Sequence, residues 1–321
     1  MIRTPAAVVT DFAEAPRYAP FELPEPAEGQ EVVEVLAAGL HPRVRSGAGG
    51  AHYTSTGRLP LVPGIDGVGR RADGSLVYFA GEDDRHGSMA AHAVIDSRRT
   101  IVLPESADIV KVAAAMNPAM SSWVALRRRI ALPPGASVLV LGATGNAGAM
   151  AVQIAKLLGA GRVIAAGRDR ERLAGLTGVG ADEAVALTAD HDATDASLAD
   201  AAAEVDVVLD YLWGAPTQRA IRALLEARAD RARPLDWIEI GSVAGSDISL
   251  PSAALRSAHL RLIGSGQGSV GAREYLAELP ELVAAIDGGR IAVATTTARL
   301  ADVEGIWSEP DVPGVRTVLL P

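Results

Sequence analysis

The chain has 321 residues, about twice the length of a typical single domain, so one large or two ordinary domains are expected. With 49% hydrophobic and 21% charged residues it has the apolar material for sizeable cores, which excludes a disordered tail or a coiled rod. The formal net charge of -9 disfavours nucleic acid and anionic membrane surfaces, and the absence of cysteine excludes disulfides, thiolate metal sites and cysteine nucleophiles together.

Residues 1–17 carry Arg3, Asp11 and Glu14 among their apolar positions and lack the continuous apolar core of a signal peptide, so a cytoplasmic protein is expected. Residues 6–10, 31–36, 76–80 and 89–95 are β-compatible runs. They are bounded by the proline-rich stretch 16–26 and by Gly47, Gly49, Gly50, Gly64, Gly67 and Gly69, the texture of an antiparallel, barrel-like unit. Helices are predicted over 109–116 and 121–130, closed by Pro133-Pro134-Gly135. The uncharged stretch 130–155 is long enough to cross a bilayer, but those residues and Gly142, Gly145 and Gly148 interrupt it, so it reads as strand, turn and helix. Apolar strands over 138–141, 163–166, 205–209, 237–240 and 260–263 then alternate with helices over 147–158, 170–176, 217–227 and 252–257. That alternation predicts a doubly wound parallel α/β sheet. A helix over 274–286 and a strand over 317–320 complete the chain.

The sharpest signal is the apolar run 138–141 leading into Gly142-Ala143-Thr144-Gly145-Asn146-Ala147-Gly148 and a helix. Glycines there let the chain turn tightly and let backbone N–H groups and the positive helix end approach a diphosphate. The spacing G-x-x-G-x-x-G departs from G-x-G-x-x-G, so the turn alone leaves the cofactor open. The next strand ends Ala165-Ala166-Gly167-Arg168, with Arg170 and Arg172 following. A free ribose 2′-hydroxyl is usually held by a carboxylate at this place, whereas a 2′-phosphate needs a cation. Gly167, Arg168 and Arg172 therefore favour NADPH, and one charge-assisted bond there contributes about 1.5–3 kcal/mol. Asp169 lies close by, which keeps open the reading that these arginines only solvate a helix.

Several stretches together carry a resemblance: Ala37-Ala-Gly-Leu-His-Pro, Arg45-Ser-Gly, Tyr53, Leu59-Pro-Leu-Val-Pro-Gly-Ile-Asp-Gly-Val-Gly, Ser122-Trp-Val-Ala-Leu, the glycine turn with Ala151-Val-Gln-Ile-Ala-Lys, and Ile238-Glu-Ile-Gly-Ser. By these the chain resembles the medium-chain dehydrogenase/reductase superfamily, in its zinc-independent quinone oxidoreductase branch. The resemblance implies a GroES-like, β-rich catalytic domain formed by residues 1–116 and completed by 265–321. A Rossmann dinucleotide-binding domain over 117–264 is inserted between them. His41 stands where zinc-dependent relatives have their first catalytic cysteine and Ile65 where they have a histidine. Asp66 and His41 alone are too few ligands for a tetrahedral metal, so no metal is expected.

The resemblance further implies NADPH-dependent hydride transfer to a small molecule, a quinone or an α,β-unsaturated carbonyl compound, with no nucleic acid or membrane partner and with a homodimer as a family expectation. Tyr53 matches a tyrosine near the nicotinamide that donates a proton or hydrogen bond, its alternative being a rim aromatic that shapes the pocket. His41 falls where the branch often has asparagine. It is expected either to bond substrate oxygen or ribose and move a proton at near-neutral pKa, or only to pack. Gly241, Ser242 and Val243, and Ser265, Gly266 and Gln267, fall at the nicotinamide end after successive strands, with Tyr211 and Trp213 as aromatic candidates. A zinc-free carbonyl or alcohol oxidoreductase, and a catalytically silent NADPH-binding sensor or structural protein, remain as alternatives. The phosphate-loop, H-E-x-x-H and G-x-S-x-G motifs do not occur.

Overall fold

A computed structural model describes residues 2–81 and 84–321 and divides the chain into two compact units. One is Pro118–Glu278; the other comprises the residues up to Asn117 together with Leu279–Pro321. Both divisions fall inside helices, Ile109–Val124 and Ala272–Asp287.

The Pro118–Glu278 unit is built on six parallel strands: β1 (Ser137–Leu141), β2 (Arg162–Gly167), β3 (Glu183–Ala186), β4 (Val207–Asp210), β5 (Leu235–Glu239) and β6 (Leu260–Gly264). Their sheet order is β3-β2-β1-β4-β5-β6, so the direction of winding reverses between β1 and β4. Ligands of doubly wound sheets bind outside the strand ends at such a reversal. The central strands are apolar without alternation because helices cover both faces. On one face, Leu139, Leu141, Ile164, Val208 and Trp237 pack with Leu198, Ile221 and Leu224 of helices His191–Ala202 and Gly214–Ala227. The strand β3 and the helix His191–Ala202 are additional to the predicted elements. The strand has four residues at the sheet edge, and the helix has Leu198 as its sole large apolar residue, too little to print a stripe.

In the other unit, seven strands form one sheet and Ile2–Val8 pairs with Arg17–Leu23 in a separate ribbon. The long strand Gln30–Leu40 is central: Asp66–Arg70 and His92–Asp96 pair with it, and so does Val315–Leu320 from the chain's end. Val33, Val35, Val77, Phe79, Ala93 and Ile95 form a core beneath it. The proline-rich stretch contains a strand, with Pro20 opposite Pro5. One continuous helix, Ile109–Val124, replaces the expected break near residue 118. It carries Pro118 in its interior and continues into a wider, π-type turn over Ala125–Arg129. This segment, Ile109–Arg129, is long and apolar enough to cross a membrane by length and composition, and most of its apolar window is buried inside the protein.

Candidate functional site

At the carboxyl end of β1 the chain turns at Gly142, whose φ of 85° lies in the left-handed region open to glycine. The N–H groups of Gly142 and Ala143 both donate to the Ala166 carbonyl at 2.9 Å, pinning the turn to β2. The helix Asn146–Leu157 starts behind it with Gly145 as an N-cap that has no side chain to offer. The first helical bond runs from Ala149 N to Gly145 O at 2.8 Å, which leaves the N–H groups of Ala147 and Gly148 without an intrahelical acceptor. A Cβ on Gly148 would stand 2.3 Å from the Gly142 carbonyl oxygen, so only glycine lets the helix seat this close to the turn. The arrangement is an anion cradle of backbone donors at the positive end of a twelve-residue helix.

Beyond β2, Gly167 lies against the Thr144 side chain, where a Cβ would approach within 2.6 Å. Arg168 follows, exposed. Asp169, the anion that left the sequence reading open, is committed elsewhere: its Oδ1 accepts the Arg172 backbone N–H at 3.1 Å and caps the helix Arg170–Leu176. The Arg172 side chain is half-buried and its Nη1 is buried with no hydrogen-bond partner. A buried donor without an acceptor beside an exposed arginine fits an anionic group such as a 2′-phosphate.

Asp210 ends β4 and is buried. Its Oδ1 accepts the N–H groups of Leu212 at 2.8 Å and Trp213 at 3.1 Å; its Oδ2 accepts from Thr217 Oγ1 at 2.6 Å and Trp237 Nε1 at 2.9 Å. Four donors hold one carboxylate and thereby shape the loop after β4. Trp213 sits in that loop at φ 53°, alone among described non-glycine residues in the left-handed region. Such a conformation costs about 1–3 kcal/mol and persists where surrounding bonds over-determine it. The loop touches its neighbours: a Cβ on Gly214 would meet the Ala244 carbonyl oxygen at 2.6 Å, and Ala244 N donates to Leu212 O at 2.8 Å. Tyr211 is buried, its hydroxyl 2.9 Å from Ser121 Oγ, and burial pushes it up to about 12.

The next loops continue the rim. Gly241 N donates to Asp210 O at 3.1 Å, whereas Ser242 and Val243 are exposed. Ser265 is buried and its N–H donates to Glu239 O at 2.8 Å, whereas Gly266 and Gln267 are exposed. The structure thus aligns the turn 142–148, Gly167, the loop 211–214, 241–245 and Ser265 along one carboxyl edge of one sheet. Burial, with Asp210 on the neighbouring strand, raises the Glu239 carboxyl above its ordinary range.

The two remaining candidates lie in the other unit, in contrasting settings. Tyr53 is 71% exposed, its ring tilted against His52 at 4.3 Å between centroids. His41 is 2% exposed, and its Nε2 lies 3.9 Å from Asp66 Oδ1. Burial lowers its pKa below the ordinary 6.5, so the near-neutral value expected from sequence does not hold; Asp66 opposes the shift, and Arg316 and Arg43 add to it. Tyr78, which donates its hydroxyl to Asp66 Oδ2 at 2.8 Å, and Arg316, buried on the last strand, are partners that the sequence did not mark. Among the described residues no three His, Cys, Asp or Glu side chains cluster so as to hold a metal ion.

The known proteins to which the chain is similar include dehydrogenases and quinone reductases. The zinc-binding dehydrogenase family model matches residues 147–284. The Emericella nidulans protein named "Probable NADPH-dependent quinone reductase tdiC" is 28% identical, the match spanning 98% of this chain and 99% of that protein. The chloroplastic NADPH-dependent alkenal/one oxidoreductase of Arabidopsis thaliana is 28% identical over 69% of this chain and 65% of its own. Among solved structures, the quinone oxidoreductase of Thermus thermophilus, crystallised also in complex with NADPH, superposes with a TM-score of 0.80 at 23% identity, covering all of both chains.

Proposed function

We propose that the chain is a medium-chain dehydrogenase/reductase of the quinone oxidoreductase branch and that it acts as an NADPH-dependent reductase of quinones or α,β-unsaturated carbonyl compounds. The observation that carries this reading is the uncapped helix start behind Gly142, with the Ala147 and Gly148 N–H groups lacking an intrahelical acceptor and with Arg168 and Arg172 after β2. These residues fit the diphosphate and the 2′-phosphate respectively. Bound in this way, NADPH would supply a hydride to an electrophilic carbon or quinone oxygen.

The chain's own part is to bind, orient and complete the proton balance. The turn 142–148 fixes the diphosphate, and the loops 211–214, 241–243 and 265–267 wall the nicotinamide end. Conjugation in a quinone or enone spreads the arriving charge onto oxygen, so hydrogen-bond donors suffice where a saturated carbonyl calls for a stronger electrophile. His41 and Tyr53 are the proposed donors, and a mechanism without a metal accords with the two-donor pair His41 and Asp66. The proposed division of labour keeps residues 1–116 and 265–321 as the catalytic domain around a dinucleotide-binding domain over 117–264. With it go a cytoplasmic location, a small-molecule substrate rather than nucleic acid or membrane, and a homodimer.

The test is absorbance at 340 nm with NADPH, then NADH, against a panel of quinones, enones and saturated ketones. NADPH oxidation with quinones or enones and little with saturated ketones is expected. Binding of NADPH without oxidation across the panel would favour a silent nucleotide-binding protein instead.

A further inference from the structure

We propose that Asp66, fixed by Tyr78 and flanked by Arg316, positions His41 through one buried bridging water, and that this path delivers the proton that accompanies hydride transfer. The proposal rests on the reductase reading above and assigns the proton step within it.

Three polar atoms in this region are buried without a hydrogen-bond partner: His41 Nε2, Asp66 Oδ1 and Arg316 Nε. Their residues are 2%, 3% and 7% exposed. They come from adjoining strands. Thr317 pairs with Leu40, which sets Arg316 in register beside His41. Val68 pairs with Ala37 on the opposite side of the same strand, which carries Asp66 toward the same end. Each orphaned group pays its full desolvation penalty if left bare, and the His41 and Asp66 atoms, facing each other, would together be a large loss for a fold to retain.

The gap between His41 Nε2 and Asp66 Oδ1 is 3.9 Å, too long for a direct hydrogen bond. A water about 2.8 Å from each fits that gap with a bent bridge, and the Arg316 charge acts on both residues from the adjoining strand. Tyr78 donates to the other carboxylate oxygen at 2.8 Å, so the carboxylate is held with Oδ1 aimed at the gap. The site therefore has one acceptor, one donor and one imidazole nitrogen that changes between the two roles.

The step balances as follows. Hydride forms a C–H or O–H bond on the substrate, and the electron pair of the broken π-bond moves onto oxygen. That oxygen takes a proton from the His41 imidazolium, and the neutral ring regains one from solvent by way of the bridging water. Asp66 stabilises the charged ring, whereas burial, Arg316 and Arg43 oppose it; Asp311 acts on Arg316 in turn. The balance makes the ring a transient proton carrier.

The test uses the full chain with NMR of 15N-labelled histidine alongside the pH dependence of kcat, in Asp66→Asn, Tyr78→Phe and Arg316→Met. Asp66→Asn is expected to move the His41 titration to lower pH, to move the alkaline fall of kcat with it, and to lower kcat about tenfold or more at neutral pH while KM for NADPH stays within about twofold. Arg316→Met should move both profiles upward. Should the Asp66 variant fail to fold, as a thermal melt would show, Tyr78→Phe and Arg316→Met carry the same comparison. A His41 titration that shifts while the kcat profile stays in place overturns the proton path, and a titration unmoved in every variant overturns the cluster itself. Wild-type protein that oxidises no NADPH with any acceptor overturns the reductase reading, and the NMR arm still reports on the bridge.

Discussion

Gly145→Ala separates the structural from the ligand-binding role of the glycine turn. Gly145 is exposed, has an ordinary φ of -74°, and a Cβ placed on it meets nothing closer than the Gly142 carbonyl oxygen at 3.4 Å. The fold therefore has room for alanine. Reduced unfolded-state entropy stabilises by about 0.4–1 kcal/mol and the poorer N-cap costs about 0.5–1 kcal/mol, so the two nearly cancel. At about 2–4 °C per kcal/mol for a chain of this size, the melting temperature should move by no more than about 3 °C. The added methyl instead intrudes on the turn proposed above as the diphosphate seat. Losing one charge-assisted hydrogen bond costs about 1.5–3 kcal/mol, so the NADPH dissociation constant should rise by roughly ten- to 150-fold. Scanning calorimetry and isothermal titration read the two quantities on one preparation. Unchanged affinity with unchanged stability would refute the placement of the diphosphate.

Gly148→Ala should behave in the opposite way. Its Cβ would stand 2.3 Å from backbone, so the helix start must shift by about 1 Å, and overpacking of this kind costs about 1–3 kcal/mol as read by denaturant unfolding. Arg168→Ala should weaken NADPH about ten- to 100-fold in titrations and leave NADH within about twofold if it removes the proposed charge-assisted contact to the 2′-phosphate; equal losses would contradict that contact. Glu278 is buried against Trp123 Nε1 at 2.9 Å and the guanidinium Nε atoms of Arg127 and Arg128 at 2.5 Å each. Burial alone would push its carboxyl up, but these donors outweigh it and hold the folded value below 4.5. The stability it contributes is therefore complete above the unfolded value and lost as pH falls through the folded one. With both arginines about a third exposed, Glu278→Gln should cost about 2 kcal/mol at pH 7, discounted from a fully buried pair. Urea unfolding should show that deficit shrinking toward pH 3, and a deficit constant with pH would refute the charge argument.

The parallel sheet and glycine turn were legible because their signals are local. An apolar run, glycines in register with a helix start and the arginine after the second strand all lie within about thirty residues. Strand β3 and the helix His191–Ala202 were not, since an edge strand of four residues and a helix with one large apolar side chain carry no periodic pattern. The setting of His41 was hidden for a different reason. Its partners Asp66, Tyr78 and Arg316 come together through sheet pairing between residues as far apart as 40 and 317. Asp210 lay in plain view as a charge ending an apolar strand, and what could not be read was that four donors would converge on it. Asp169 shows the reverse: proximity in sequence left open that the neighbouring arginines only solvate a helix, whereas its carboxylate serves as a helix cap.

The most direct measurement follows the hydride itself. Incubation with NADPH deuterated at the reactive C4 position and an α,β-unsaturated ketone, followed by mass spectrometry of the product, should place one deuterium on the β-carbon and a solvent-derived proton on the neighbouring carbon. A reduced product free of deuterium, or deuterated NADPH recovered intact beside untouched ketone and quinone, would contradict the account.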